Sequence, residues 1–226
     1  MSQLDLPLAL DDYATFATFC SDGNEPAVSS LRRLTEAGEG PGCWLWGAAG
    51  TGKSHLLQAV CATLSQRAAF LPLAELSVAD PGILDGMEQL DVVCLDDVNA
   101  ICGHDAWERS LFRFFNQAID RGAAIVAAGS AVPSVLPFGL PDLASRFATL
   151  PPFRLRAIPD GALESAFISR ARHRGIELPE ETAHYLVLRE RRDMANLYAL
   201  LDRLEAEALA ARRRLTVPFV RKILGK

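Results

Sequence analysis

Apolar positions in this chain fall into two recurring patterns, short continuous runs of strand length and longer stretches at helical spacing. Residues 43–46 (Cys-Trp-Leu-Trp) are a continuous apolar run, and Leu56, Leu57, Val60, Cys61 and Leu64 follow at intervals of three and four. The succession predicts a strand over 43–46, a helix over 53–66, strands over 69–73 and 91–95, a helix over 106–121, a strand over 124–128 and a short strand over 153–158. Strands interleaved with helices in this way are what a parallel sheet with crossover helices requires. After Pro159 the character changes: helical periods cover 162–174, 179–191, 194–213 and 218–224, with no strand-like run of useful length. Pro179 and Pro218 suit first-turn positions, and Asp160 suits a helix cap. The expected organisation is therefore a tail over 1–12, an α/β domain over 13–158 and a small all-α domain over 159–226.

Composition narrows the class of protein. With 226 residues, 50% of them apolar, the chain is long enough to bury a core without covalent staples. The five cysteines (Cys20, Cys43, Cys61, Cys94, Cys102) form no C-x-x-C pair and mostly sit in apolar stretches, which implies a reducing, cytoplasmic compartment. Residues 1–10 lack a basic start and carry Asp5, so no signal peptide is expected. Residues 122–141 run 20 positions without a charge, the length of a membrane span, but three prolines and three glycines interrupt them. A buried strand followed by a loop fits better, and a membrane role is not expected.

Net charge is −5, unevenly spread: residues 1–153 carry 8 basic and 18 acidic side chains, residues 154–226 carry 15 basic and 10 acidic. No basic excess spans the chain, so strong direct DNA binding is not expected. The C-terminal excess fits either a solvated helical face or a face that meets nucleic acid or an acidic partner.

The chemistry concentrates in one motif. Gly47-Ala-Ala-Gly50-Thr51-Gly52-Lys53-Ser54 matches G-x-x-x-x-G-K-[ST], between an apolar strand and a helical run. In that context the glycines let main-chain N–H groups wrap a phosphate, Lys53 reaches the β and γ phosphates, and Ser54 can ligate Mg²⁺. Asp96 and Asp97 close the apolar strand over 91–95, where such a protein keeps a carboxylate for the metal. Asp96 is the candidate on the metal side. Asp97 is the candidate for polarising an attacking water, or else a plain surface acid at a strand end. Gly129-Ser130 lacks the second glycine of a serine-hydrolase elbow, and His55, His104, His173 and His184 show no zinc spacing.

A phosphate loop, a helical C-terminal domain and Gly-Leu-Pro-Asp-Leu-Ala-Ser-Arg-Phe over 139–147 resemble the AAA+ ATPases of the bacterial replication-initiator group. Thr15-Phe-Ala-Thr-Phe19 and the following Gly23-Asn24 resemble the initiator segment that lines the adenine pocket, which implies nucleotide contacts for Phe19 and Asn24. Nothing in the chain resembles the initiator's N-terminal interaction domain or its helix-turn-helix DNA-binding domain. Gln3-Leu4-Asp-Leu6-Pro7-Leu8 is similar to the sliding-clamp-binding motif of the Hda family, the initiator's regulatory inactivators, and Leu215-Thr-Val-Pro-Phe-Val220 resembles the end of their lid. On spacing alone the same leucines suit packing on their own domain; as a docking peptide, Leu4, Leu6 and Leu8 offer apolar area, Gln3 amide hydrogen bonds and Pro7 a reduced ordering cost.

The resemblance implies a negative regulator of replication initiation that binds ADP or ATP, with Mg²⁺ where the nucleotide brings it, and has the sliding clamp and the initiator ATPase as partners. Self-association is a further expectation. Arg146 would be an arginine finger acting in trans on the initiator's ATP; on sequence alone it suits equally a surface pair with Asp142 one turn away. Two positions depart from the family pattern. Ala195 stands where initiator-type lids carry a sensor arginine, so only Arg191 or Arg192 can supply that charge, and Ser130 stands where an acidic sensor is usual. An autonomous, DNA-stimulated ATPase of helicase-loader or transposition-helper type, and a nucleotide-ordered adaptor, are the alternative readings.

Overall fold

The structure, a computed structural model, describes residues 14–189, 194–211 and 213–225. Its residues form two compact units, one ending at Arg156 and the other beginning at Ala157.

In the first unit, α1 (Glu25–Ala37) leads into β1 (Gly42–Trp46), α2 (Lys53–Leu64), β2 (Ala68–Pro72), a single helical turn α3 (Leu73–Leu76), β3 (Val92–Asp96), α4 (Asp105–Arg121), β4 (Ala124–Gly129), α5 (Pro141–Ala148) and β5 (Pro152–Arg154). All strand pairs are parallel, in the order β2-β3-β4-β1-β5. The expected parallel sheet with flanking helices is what forms.

Alternation along the strands divides the core in two, because successive side chains leave opposite faces. Trp44, Leu71, Val93, Leu95, Ile125 and Ala127 pack with α4 and α5 residues such as Leu111, Phe115, Leu143 and Phe147. Cys43, Leu45, Val92, Cys94, Val126 and Ala128 pack with Val28 and Leu31 of α1 and Leu56, Leu57 and Val60 of α2. The Trp44 indole donates to the Ala131 carbonyl at 2.9 Å, which satisfies its polar atom on the buried side. Burial holds the Cys43 thiol up at about 12 and pushes Cys94 well above its ordinary value, so both stay protonated and act as small hydrophobes.

Several expectations shift. Helix α1 is an element the sequence pattern did not predict. Strand β2 begins at Ala68 and ends at Pro72, and Leu73 opens α3 instead of closing the strand. α2 stops at Leu64, where Ser65 takes a left-handed φ of 53° and starts a 3-10 turn. β5 spans only Pro152–Arg154: Leu155 still donates to the Trp46 carbonyl of β1, but Arg156 spends its N–H and carbonyl on the Asn24 side chain, which ends the pairing. The uncharged stretch over 122–141 holds β4, buried along its whole length, and then loop and a 3-10 turn at Pro133–Val135. Among the described residues no helix is long and apolar enough to cross a membrane.

The second unit is all helix: α6 (Asp160–His173), α7 (Glu180–Arg189), α8 (Met194–Ala211) and α9 (Val217–Ile223). α6 starts at Asp160 with Pro159 in the cap position, so Asp160 is the first helical residue and not the cap. α8 is described as far as Ala211, and residue 212 lies outside the described residues. Leu163, Phe167, Leu186, Leu197, Leu201, Leu204 and Val220 form its own core. Thr182 Oγ1 donates to the Leu215 carbonyl at 2.9 Å and ties α7 to the segment before α9. The buried Arg170 guanidinium lies over the Tyr198 ring at 3.6 Å.

Candidate nucleotide-binding site

The C-terminal end of a parallel sheet is where strand ends and helix N-termini converge, and the phosphate-loop residues gather there. β1 lies between β4 and β5, and its end releases the chain at Gly47 into the loop that opens α2. Two positions in this loop need glycine for different reasons. At Gly47 a Cβ would stand 2.6 Å from the Leu155 carbonyl oxygen. Gly52 has φ +89°, and a Cβ there would stand 2.6 Å from the Phe19 ring. Gly50 is also left-handed, at φ 76°.

Thr51 Oγ1 donates to the Ala48 carbonyl at 2.9 Å and braces the loop from inside. Lys53 is buried, and its ammonium donates to the Gly47 and Ala48 carbonyls at 3.0 Å each. The loop is thus folded around its own lysine, with the positive charge held where a phosphate would enter.

Asp96 ends β3 with 4% of its surface exposed. Burial pushes its carboxyl above the ordinary range, against a hydrogen bond from Ser54 and the field of Lys53, which favour the anion. Asp96 Oδ1 also accepts the Asp97 N–H at 3.0 Å. The structure therefore joins Lys53, Ser54 and Asp96 into one cluster. Ser54 hydroxyl and Asp96 carboxylate form an all-oxygen donor pair beside the loop, a set that fits a hard cation such as Mg²⁺. Asp97 stands at the same strand end, half-buried, with a left-handed backbone (φ 48°, ψ 48°) unusual for a non-glycine residue. Its carbonyl accepts the Ala100 N–H, and Asn99 Oδ1 accepts the Ser130 N–H at 3.0 Å, so the turn after β3 is fastened to the end of β4.

Of the two residues assigned to the adenine side, Phe19 packs against Gly52 and the His55 ring, with ring centroids 5.5 Å apart. Asn24 is fastened to the segment after β5. It is 3% exposed, its amide donates to the Arg156 carbonyl at 3.0 Å and accepts the Arg156 N–H at 2.8 Å. One N–H and one oxygen lone pair of the amide are thus spent on the main chain, and they hold Arg156 beside the start of α1. His55, which the sequence singled out only for lacking metal spacing, bonds through Nε2 to the Thr15 carbonyl at 2.9 Å and connects the N-terminal segment to α2. Its place directly after Lys53-Ser54 was the available signal. Asn99 and Glu108 carried none, since the partner of Asn99 and two of the three partners of Glu108 are main-chain groups about thirty positions away.

Arg146 is not drawn into this cluster. Leu143 and Phe147 of α5 are buried, Phe147 against Trp44, Phe115 and Phe138, whereas Arg146 on the other face is exposed. Among the described residues no ion pair joins it to Asp142, so the expected alternative pairing does not form. Gln3, Leu4, Leu6, Pro7 and Leu8 lie outside the described residues, as do Arg191 and Arg192; Ala195 falls in the first turn of α8.

Comparison with known proteins was informative for both units. Residues 160–224 match the lid domain of the Hda family. Residues 43–127, from within β1 into β4, match an RNA helicase family. Domain III of the replication initiation protein DnaA from Thermotoga maritima superposes with a TM-score of 0.80 at 21% identity, over 96% of this chain and 98% of that one. The C-terminal unit is therefore Hda-lid-like, and the chain has an AAA+ fold. AMPPCP-bound DnaA from Aquifex aeolicus gives a TM-score of 0.70 at 20% identity, with 87% of this chain and 66% of that one covered. The RuvB Holliday junction branch migration motor of Thermotoga maritima gives 0.65 at 17% identity, with 90% and 68% covered. At these identities the superpositions establish a shared fold.

Proposed function

We propose that this chain is a cytoplasmic, nucleotide-bound regulator of replication initiation that switches off the initiator by promoting hydrolysis of the initiator's ATP. The observation that carries the reading is an exposed arginine, Arg146, on a helix anchored in the core of an AAA+ fold that bears an Hda-type lid. Its guanidinium has no ion pair among the described residues, and an exposed guanidinium can reach another molecule's nucleotide. There it offsets the charge that develops on the γ-phosphoryl group during transfer.

In this account Gly47, Gly50, Thr51, Gly52, Lys53 and Ser54 hold the chain's own nucleotide, ADP in the resting state, with Phe19 against the adenine side. Ser54 and Asp96 would hold Mg²⁺, which supplies charge neutralisation at the phosphates. The nucleotide-bound AMPPCP form of a structural relative supports an adenine nucleotide in this loop. Residues Gln3 to Leu8 dock on the DNA-loaded sliding clamp and bring Arg146 to the initiator. Comparison of the wild-type chain, Arg146→Ala and a form lacking residues 1–8 in clamp-stimulated ATP hydrolysis by the initiator tests the reading. Both altered forms lose stimulation; an Arg146→Ala chain that stimulates fully while folded and clamp-bound contradicts it.

A second reading, an autonomous DNA-stimulated ATPase, is favoured by the completeness of the Lys53, Ser54 and Asp96 cluster. It requires turnover by the isolated chain that rises with single-stranded DNA. Under the first reading that turnover is small and indifferent to DNA.

A further inference from the structure

Glu108, in the first turn of α4, is 1% exposed. A carboxylate taken out of water needs a counter-charge or a full set of hydrogen bonds. Among the described residues no ion pair joins it to a cation, and its partners are three main-chain N–H groups. Oε1 accepts from Gly103 at 2.6 Å and from Gly139 at 3.0 Å, and Oε2 accepts from Leu140 at 2.6 Å.

These donors are not scattered. Leu140 is the cap residue of α5 and Gly139 precedes it, and no side chain of α5's own sequence caps that end. The start of α5 is therefore hung from α4 through one buried carboxylate. Arg146 lies six residues beyond Leu140 on the same short helix, at about 1.5 Å of rise per residue. Phe147 and Leu143 fix how deep the helix sits, while Glu108 fixes where its first turn begins. Together they set the place and the Cα–Cβ direction from which the guanidinium projects.

We propose that Glu108 is a positioning residue for Arg146: through the Gly139 and Leu140 N–H groups it sets the aim of the arginine toward a partner's nucleotide. The inference rests on the reading of Arg146 given above. It places the requirement for orientation on a residue that touches neither the nucleotide nor the partner.

The test uses the full chain as wild type, Glu108→Gln, Arg146→Ala and the double variant. Each is titrated into clamp-stimulated ATP hydrolysis by the initiator, with thermal melting and amide exchange over 139–148 measured on the same samples. Glutamine keeps the shape but turns an NH₂ donor toward main-chain donors. Glu108→Gln is expected to remain folded and to reach half-saturation within about twofold of wild type. Its maximal stimulation falls about ten- to a hundred-fold, the loss expected from a misplacement of order 1 Å. Amides of 139–148 exchange faster, and the double variant is no worse than Arg146→Ala alone.

Wild-type stimulation and wild-type exchange in Glu108→Gln, with stimulation lost in Arg146→Ala, overturn the positioning role and leave the regulator reading intact. Additive losses in the double variant also overturn it, because the two residues then act separately. Full stimulation by Arg146→Ala overturns both. Should Glu108→Gln fail to fold, Glu108→Asp takes its place: it keeps the negative charge but is one methylene shorter, so it cannot reach the Gly103, Gly139 and Leu140 N–H groups together. It is expected to lower maximal stimulation with half-saturation unchanged, and wild-type stimulation by a folded Glu108→Asp chain whose 139–148 amides exchange faster overturns the role.

Discussion

Asp96 shows how one buried group ties the site to stability. Its carboxyl titrates above the ordinary range because burial penalises the anion. As pH falls, the folded chain therefore takes up this proton before the unfolded chain does. Between the ordinary value and the raised one the folded state binds more protons, so stability declines as pH rises through that window. Urea titrations of nucleotide-free protein across the window should show this decline, and Asp96→Asn should remove it while weakening Mg²⁺-dependent nucleotide binding. Gly52→Ala is expected to cost about 1–3 kcal/mol, since it forces a left-handed backbone and a clash with Phe19. Thermal shifts on adding ADP should shrink with it; an unchanged shift would mean the loop tolerates a side chain. The phosphate-loop residues were legible because their spacing is local, each glycine and the lysine acting within eight positions of sequence. Asn24 was placed near the site from its resemblance, but its task, pairing with Arg156 across 132 positions, leaves no mark in a linear pattern.

At the level of elements, the pattern succeeded where an apolar run is long or strictly periodic and failed where turn-like residues open a helix. β1, β3 and β4 are continuous apolar runs buried on both faces, and all three were predicted within a residue or so of their ends. Helix α1 buries Ala27, Val28, Leu31 and Leu34, which share one helical face; the turn-like Gly23-Asn24-Glu25-Pro26 at its start concealed it. α5 was read as a motif and not as a helix, since Pro141 and Gly139 look like loop punctuation until Pro141 is seen in the first turn. That helix separates stability from function cleanly. Phe147→Ala, which removes a fully buried ring touching three aromatic neighbours, should cost about 3–5 kcal/mol in chemical denaturation. Arg146→Ala, exposed on the opposite face, should stay within about 0.5 kcal/mol of wild type. A large loss of stability in Arg146→Ala would show that the arginine serves its own chain.

Across the whole molecule, charge and core agree on the division. The acidic part of the sequence builds the sheet unit and the basic excess falls in the helical unit, each with a core of its own. What the sheet unit supplies to the proposed regulator is a nucleotide cradle at one strand end and an arginine fixed elsewhere on the surface. In the proposal these are two sites with separate tasks, one for the chain's own nucleotide and one for another molecule's. The chain alone then has no need of rapid turnover, and its effect appears only when the initiator and the loaded clamp are present. The direct measurement is the rate of ATP hydrolysis by purified initiator with DNA-loaded clamp, with wild-type chain or Arg146→Ala at matched, saturating concentration. The account predicts stimulation that is lost with Arg146→Ala although the variant stays folded and clamp-bound. Equal stimulation by both, or DNA-dependent turnover by this chain in the absence of the initiator, would contradict it.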